Sequence, residues 1–111
     1  MVKPKNSILL REVLPDLAAE VESLLSREGE AELARQVQEL QIVDRCRCGD
    51  DFCAAVYTAP RPKGAWGPGH YTLPLDPERG FLNVDVLNGK IVELEVLFRD
   101  EIRARLLKLL P

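Results

Sequence analysis

The chain is poor in the residues that carry most chemistry. Its 111 residues hold one histidine, one tryptophan, one methionine and three cysteines, and aromatic side chains make up only 5% of it. His70 is therefore the only imidazole available as a base or a ligand. No apolar stretch approaches the length needed to span a bilayer. The first apolar run, Ile8 to Leu10, stops at Arg11 and Glu12, too short for the core of a secretory signal. Basic excess is missing too. Residues 1–41 carry five basic and eight acidic groups, residues 42–70 four and three, and residues 71–111 six and seven. Without a basic segment, binding to a nucleic-acid backbone loses its main driving force. Nucleic acid and membrane are not expected partners. An odd number of cysteines without a secretory signal points to a reducing compartment, so a cytoplasmic protein is expected.

What is present is ordinary globular composition, 46% hydrophobic and 30% charged, at a length that suits one domain. We expect residues 1–111 to form a single α+β domain, helical over 7–41, sheet over 42–97 and helical again over 100–110. From Leu14 on, apolar residues recur at 14, 17, 18, 21, 24 and 25, the stripe of an amphipathic helix. Pro15 suits a first helical turn. Residues 7–14 are then a separate short helix or a continuation kinked at Pro15. Gly29 marks a helix end. Beyond it Leu33, Ala34, Val37, Leu40 and Gln41 follow a second helical face. The glutamates of this region read as a solvated surface.

At residue 42 the period changes. IVDRCRC (42–48) and FCAAVYTA (52–59) flank the turn residues GDD, which predicts a hairpin with Cys48 and Cys53 near its tip. PRPKGAWGPG (60–69) holds three prolines and three glycines and reads as a long loop. A short strand follows over 70–74. FLNVDVLNGKIVELEVL (81–97) reads as a hairpin around Asn88-Gly89. That dipeptide suits a two-residue type I′ turn, which would set Val84 opposite Glu93. A three-residue loop, Leu87 to Gly89, instead pairs Val86 with Lys90, Val84 with Val92 and Leu82 with Leu94. The buried face sets register, so the three-residue loop with Gly89 in a G1 bulge is expected. The other face, Asn83, Asp85, Glu93 and Glu95, reads as wet. Asp100 is the expected cap of the last helix. The leucines of that helix cover a broad arc, which fits deep packing or a last turn in contact with a second copy, a homodimer. The expected fold is a mainly antiparallel four- to five-stranded sheet with the N-terminal helical pair and the C-terminal helix on one face.

Cys46, Cys48, Cys53 and His70 are four soft or borderline donors, the number that structural zinc requires. Their C-x-C-x4-C spacing departs from the usual knuckles. Cys46 and Cys48 share a face of a regular strand, so closing them on one ion bends the strand, and His70 must fold back over the loop. Cys48 and Cys53 also face each other at disulfide distance, which a reducing compartment disfavours. A reactive thiolate would draw on Arg45, Arg47 and His70, yet the two arginines alternate onto the opposite face. In the plainest reading the thiols are small apolar residues packing the hairpin. No catalytic residue is assigned.

The loop is the stronger candidate. Arg61, Lys63 and Trp66 sit among prolines and glycines, with His70 at the loop's end. Tryptophan on a stiff loop anchors partners, arginine pairs with carboxylates, and Pro60 and Pro62 pre-organise the backbone. Alternatively Trp66 folds down over an open end of the core. The expected function is a non-enzymatic interaction or ligand-binding module acting through residues 60–70 and the cysteine hairpin tip. It would take a protein or small-molecule partner and no cofactor. A zinc-binding protein and a thiol-dependent enzyme are the alternatives.

Residues 42–110 resemble a group of small bacterial proteins. The stretches that carry the resemblance are DRCRCGDDFC (44–53), YTAPRPKGAWGPGH (57–70) and NGKIVELEVLFRDEIRARL (88–106). Leu82 to Leu97 is also similar to the hairpin of other small bacterial domains, where an NG or DG turn precedes an I-V-x-x-E-V/I-L strand. The resemblance implies a small bacterial cytosolic protein. It carries no activity, and so no catalytic residue.

Overall fold

The computed structural model describes residues 8–111; position 7, the start of the expected helical segment, lies outside the described residues. The chain opens on a strand rather than a helix. β1 (Ile8–Leu9) pairs antiparallel with β2 (Gln41–Ile42), Ile8 opposite Ile42. α1 (Leu10–Val13) is a single turn, and the break at Leu14 (φ −134°, ψ 62°) separates it from α2 (Pro15–Arg27). Pro15 takes the first helical position as expected. α2 buries Leu17, Ala18, Val21, Leu24 and Leu25, the stripe read from the sequence. It ends in a Schellman motif: Glu30 N–H donates to Leu25 O (2.9 Å) and Gly29 N–H to Ser26 O (3.1 Å).

The second helix is shorter than its apolar pattern suggested. α3 (Ala31–Gln36) gives way to a 3-10 turn, Val37–Glu39. Leu40 is already extended and Gln41 lies in β2. The pairing of β2 with β1, extended by Leu10 N–H donating to Leu40 O at 2.9 Å, overrides helical periodicity there. Helical structure therefore does not run through 7–41.

The main sheet has the order β3-β4-β7-β6-β5, all neighbours antiparallel. Its strands are β3 (Asp44–Arg45), β4 (Val56–Tyr57), β5 (His70–Pro74), β6 (Phe81–Leu87) and β7 (Lys90–Leu97). The last three match their expected bounds; β3 and β4 are far shorter than 42–48 and 52–59. The second limb of the cysteine hairpin changes partner along its length. Val56 and Tyr57 bridge β3 and β7. Upstream, Ala54 N–H donates to Val96 O (2.8 Å), Cys53 bridges Leu97, and Phe98 N–H donates to Phe52 O (2.8 Å). Residues 52–54 thus serve β7 and leave the tip of the hairpin out of the ladder.

The β6–β7 register corrects the sequence reading. Leu87 pairs with Lys90 and Val86 with Ile91, so the turn is the two-residue Asn88-Gly89 loop, both residues at positive φ (50° and 82°), as type I′ demands. The pairing then slips by one, to Asp85 with Glu93, Val84 with Leu94 and Leu82 with Val96. A β-bulge at Val92 absorbs the extra residue. The apolar face is kept whole, as expected, but a bulge within β7 restores parity rather than a longer loop. Gln36 of α3 clamps this end: its Nε2 donates to Gly89 O (2.7 Å) and its Oε1 accepts from Ile91 N–H (2.9 Å).

Leu82, Val84, Val86, Leu94, Val96 and Val56 form one cluster with the helices, so the helices lie on one sheet face. α4 (Asp100–Leu109) adds Ile102 and Leu106 to it. Asp100 is the first helical residue, not the cap; Arg99 holds that place with no side-chain capping bond. Arg99 is itself buried, and its guanidinium meets Glu20 of α2 (2.9 Å) and Glu101 (2.9 Å). No helix among the described residues is long and apolar enough to cross a membrane. Gln36→Leu should lower stability by about 1–2 kcal/mol, because it orphans one donor and one acceptor at the turn. The check is a shift of the denaturant midpoint at unchanged slope.

Candidate functional site

The helix-free face of the sheet carries the chemistry. Asp44 pairs with Tyr57, Tyr57 with Glu93, Glu93 with Asp85, and Asp85 with Thr72. Residues opposite one another share a face, and the face repeats every second residue. Cys46, Tyr57, Glu93, Glu95, Asp85, Thr72 and His70 therefore share one face of the sheet.

At the β3 end of this face stand the cysteines. Cys46 N–H donates to Ala55 O (2.9 Å), continuing the β3–β4 ladder one step. The chain then turns at Gly49–Asp51, and Cys53 N–H bonds back to Asp50 O (3.2 Å). The result brings the sulfurs of Cys46, Cys48 and Cys53 within 4.8 Å of one another, all as free thiols. They sit close enough to hold a metal ion. Burial, together with hydrogen bonds to the Cys48 and Cys46 thiols, pushes the Cys53 thiol up to about 12. Arg45 and Arg47 do not face the sulfurs. Arg45 Nε donates to Leu110 O, and Arg47 donates to Asp44 (3.0 Å) and to Pro111 O (3.1 Å).

His70 is not among the thiols. It opens β5 at the opposite edge of the sheet, three strand positions beyond β4, and its Nε2 lies 2.8 Å from Asp85 Oδ1. The four-ligand set Cys46, Cys48, Cys53 and His70 is thus split: three members meet and the fourth is committed elsewhere. Gly69 fixes where β5 begins. Its φ is 90°, and a Cβ there would come within 2.1 Å of the Asn88 side chain, so only glycine fits.

The carboxylates that the sequence presented as a wet face are partly buried. Asp85 is 3% exposed. Thr72 donates to it at 2.6 Å. Burial alone would raise the Asp85 carboxyl; hydrogen bonds from Glu95, Thr72 and His70 outweigh it and hold it below its ordinary value. Glu95 is the other half of the pair. Its hydrogen bond to Asp85, with burial and the charges of Asp85 and Glu93, pushes it up to about 8, so at neutral pH it is the protonated partner. Glu93 is raised by burial and by the Asp85 charge. Strand alternation marked these positions but could not show that Thr72 and His70 of β5 bond to Asp85.

Trp66 does not fold down over the leucine core. It is half-buried, its ring lies 6.4 Å from that of Tyr57 at a 48° tilt, and its indole is near enough to Glu93 to favour the charged form of that carboxyl. It roofs the polar face and touches none of the leucine core. Arg61 is exposed with its guanidinium 5.5 Å from the Tyr57 ring centroid, within cation–π range, and Lys63 is exposed. Sequence reasoning missed one further feature. All three phenylalanines lie together on the surface: Phe52, Phe81 and Phe98 are 39%, 59% and 56% exposed, and Phe98 stacks on Phe52 with centroids 5.3 Å apart. Phe98 is held at φ 61°, a conformation bulky residues rarely adopt.

Comparison with protein-family models, curated proteins and solved structures finds no match to the chain, so its chemistry is read from its own residues. Two outcomes follow from this geometry. Trp66→Ala should cost about 1–2 kcal/mol, from the lost contact with the Tyr57 ring, measured by chemical denaturation. Glu95 binds its proton more tightly folded than unfolded. Its contribution is whole below the ordinary 4.5 and is lost as pH rises through about 8. Asp85, held low, acts in the opposite sense and only at acid pH. Melting temperature should therefore fall between pH 5 and pH 9, and Glu95→Gln should flatten that slope while keeping a donor to Asp85.

Proposed function

We propose that the protein binds a soft metal ion through the thiolates of Cys46, Cys48 and Cys53. The observation that carries this reading is the meeting of three sulfurs within 4.8 Å at a hairpin tip where the ladder has already stopped. In a zinc–thiolate site, sulfurs about 2.3 Å from the ion sit about 3.8 Å apart. Closure of at most about 1 Å completes the set, and the unladdered tip can supply it. Thiolate donors select zinc, cuprous copper and similar ions over magnesium or calcium. A reducing compartment would keep the thiols available. The thiol-enzyme reading has less support, because His70 is engaged by Asp85 and both neighbouring arginines bond elsewhere.

A loop-centred interaction module is the second reading. Exposed Arg61 and Lys63 and the neighbouring phenylalanine surface favour it. It ranks lower because Trp66, the anchor it relied on, already has partners on its own chain.

Protein reconstituted under reducing conditions should retain one equivalent of zinc or cuprous copper. Fewer than three thiols should titrate until a strong chelator is added. Replacing any one of the cysteines with serine should weaken the metal by more than about 100-fold, beyond what outer partners of a site contribute. Three freely titrating thiols with no retained metal would sink the reading.

A further inference from the structure

We infer that the ion held by Cys46, Cys48 and Cys53 completes its coordination with a donor from outside the chain, namely the sulfur of an anionic low-molecular-weight thiol. The inference rests on the metal reading above. Three sulfurs leave one position of a tetrahedral ion open, and the chain has little with which to fill it. Its one histidine is bonded to Asp85 at the far edge of the sheet. The carboxylates of Asp85, Glu93 and Glu95 form a group of their own, separate from the sulfurs. Asp44 is taken by Arg47 and by the Arg45 backbone. Asp50 and Asp51 are exposed on the turn, and neither carboxylate joins the thiols.

Space and charge beside the sulfurs describe the missing ligand. Cys46 and Cys53 border a cleft of about 30 Å³ whose walls include Arg45, Arg103, Leu106 and Leu107. That volume admits about one or two water-sized groups and not a side chain. Arg45 and Arg103 line it against one acidic residue, Asp50, so the body of the ligand, left outside the cleft, is favoured if it carries negative charge. Cys48 is exposed, which opens the site to exchange with solvent. The step is a ligand substitution. The incoming thiol releases its proton to water and its sulfur lone pair forms the fourth metal–sulfur bond; no electron changes hands. The ion is then exchangeable, passed between this chain and a pool of small thiols.

Cobalt(II) bound to the reduced full chain is the probe. Three cysteine ligands should give a sulfur-to-cobalt charge-transfer band in the near ultraviolet. Titration with 3-mercaptopropionate should raise it by about a third, from three sulfurs to four, with cobalt still bound after desalting. The uncharged 2-mercaptoethanol should need at least about fivefold more for half-saturation, and Arg103→Gln should abolish that preference. His70→Ala and Asp50→Asn should leave the starting band unchanged. A band indifferent to either thiol, or one altered by Asp50→Asn, shows a shell closed by the chain and overturns the inference while sparing the metal site. Equal half-saturation by the two thiols, or cobalt stripped by them, also overturns it. Absence of any charge-transfer band removes the metal reading itself, and this inference with it.

Discussion

The β-bulge at Val92 is the constraint on which the rest of the structure depends. A type I′ turn at Asn88-Gly89 twists correctly for a hairpin, but in strict register it would set valines against glutamates. One extra residue in β7 restores the match, so that Leu82, Val84 and Val86 face the helices together with Leu94 and Val96. Because side chains alternate, the same slip delivers Asp85, Glu93 and Glu95 to the other face. The Gln36 amide bonds on either side of the turn hold this arrangement against α3.

The two faces solve different problems. One is a conventional apolar core. The other buries a carboxylate almost completely, which is tolerable only because Thr72, His70 and the protonated Glu95 all bond to it. Trp66 lies over Glu93 and Tyr57 from the long loop, so the polar face is roofed rather than open. His70 is consumed by this network. Its position explains why the only imidazole in the chain is not available to the thiols, and why the candidate metal centre is built from sulfur alone.

That centre forms where the sheet runs out of partners. β3 and β4 share only two pairs, and residues 52–54 then turn to β7. The hairpin tip is left without a ladder, and the three thiols gather there, two of them beside a small cleft against α4. A backbone free of cross-strand bonds is able to close on an ion. The exposed phenylalanines start from the same departure, since Phe52 bonds to Phe98 where the β7 edge takes over the chain.

Local pattern by itself determined the α+β class, the amphipathic α2 with Pro15 at its start, the bounds of β5, β6 and β7, the irregular loop over 60–69 and the clustering of sulfur in one hairpin. These follow from periodicity and turn chemistry, which act over a few residues. Only tertiary structure decided the rest. The β1–β2 pairing cut short a helical pattern that Leu40 and Gln41 continued on paper. The bulge decided a register that parity alone resolved wrongly. Strand order, which no local signal encodes, carried His70 to the opposite edge from Cys46, Cys48 and Cys53 and brought it to Asp85. Burial of that carboxylate, and the roof that Trp66 makes over the same face, depend on contacts between residues far apart in the chain.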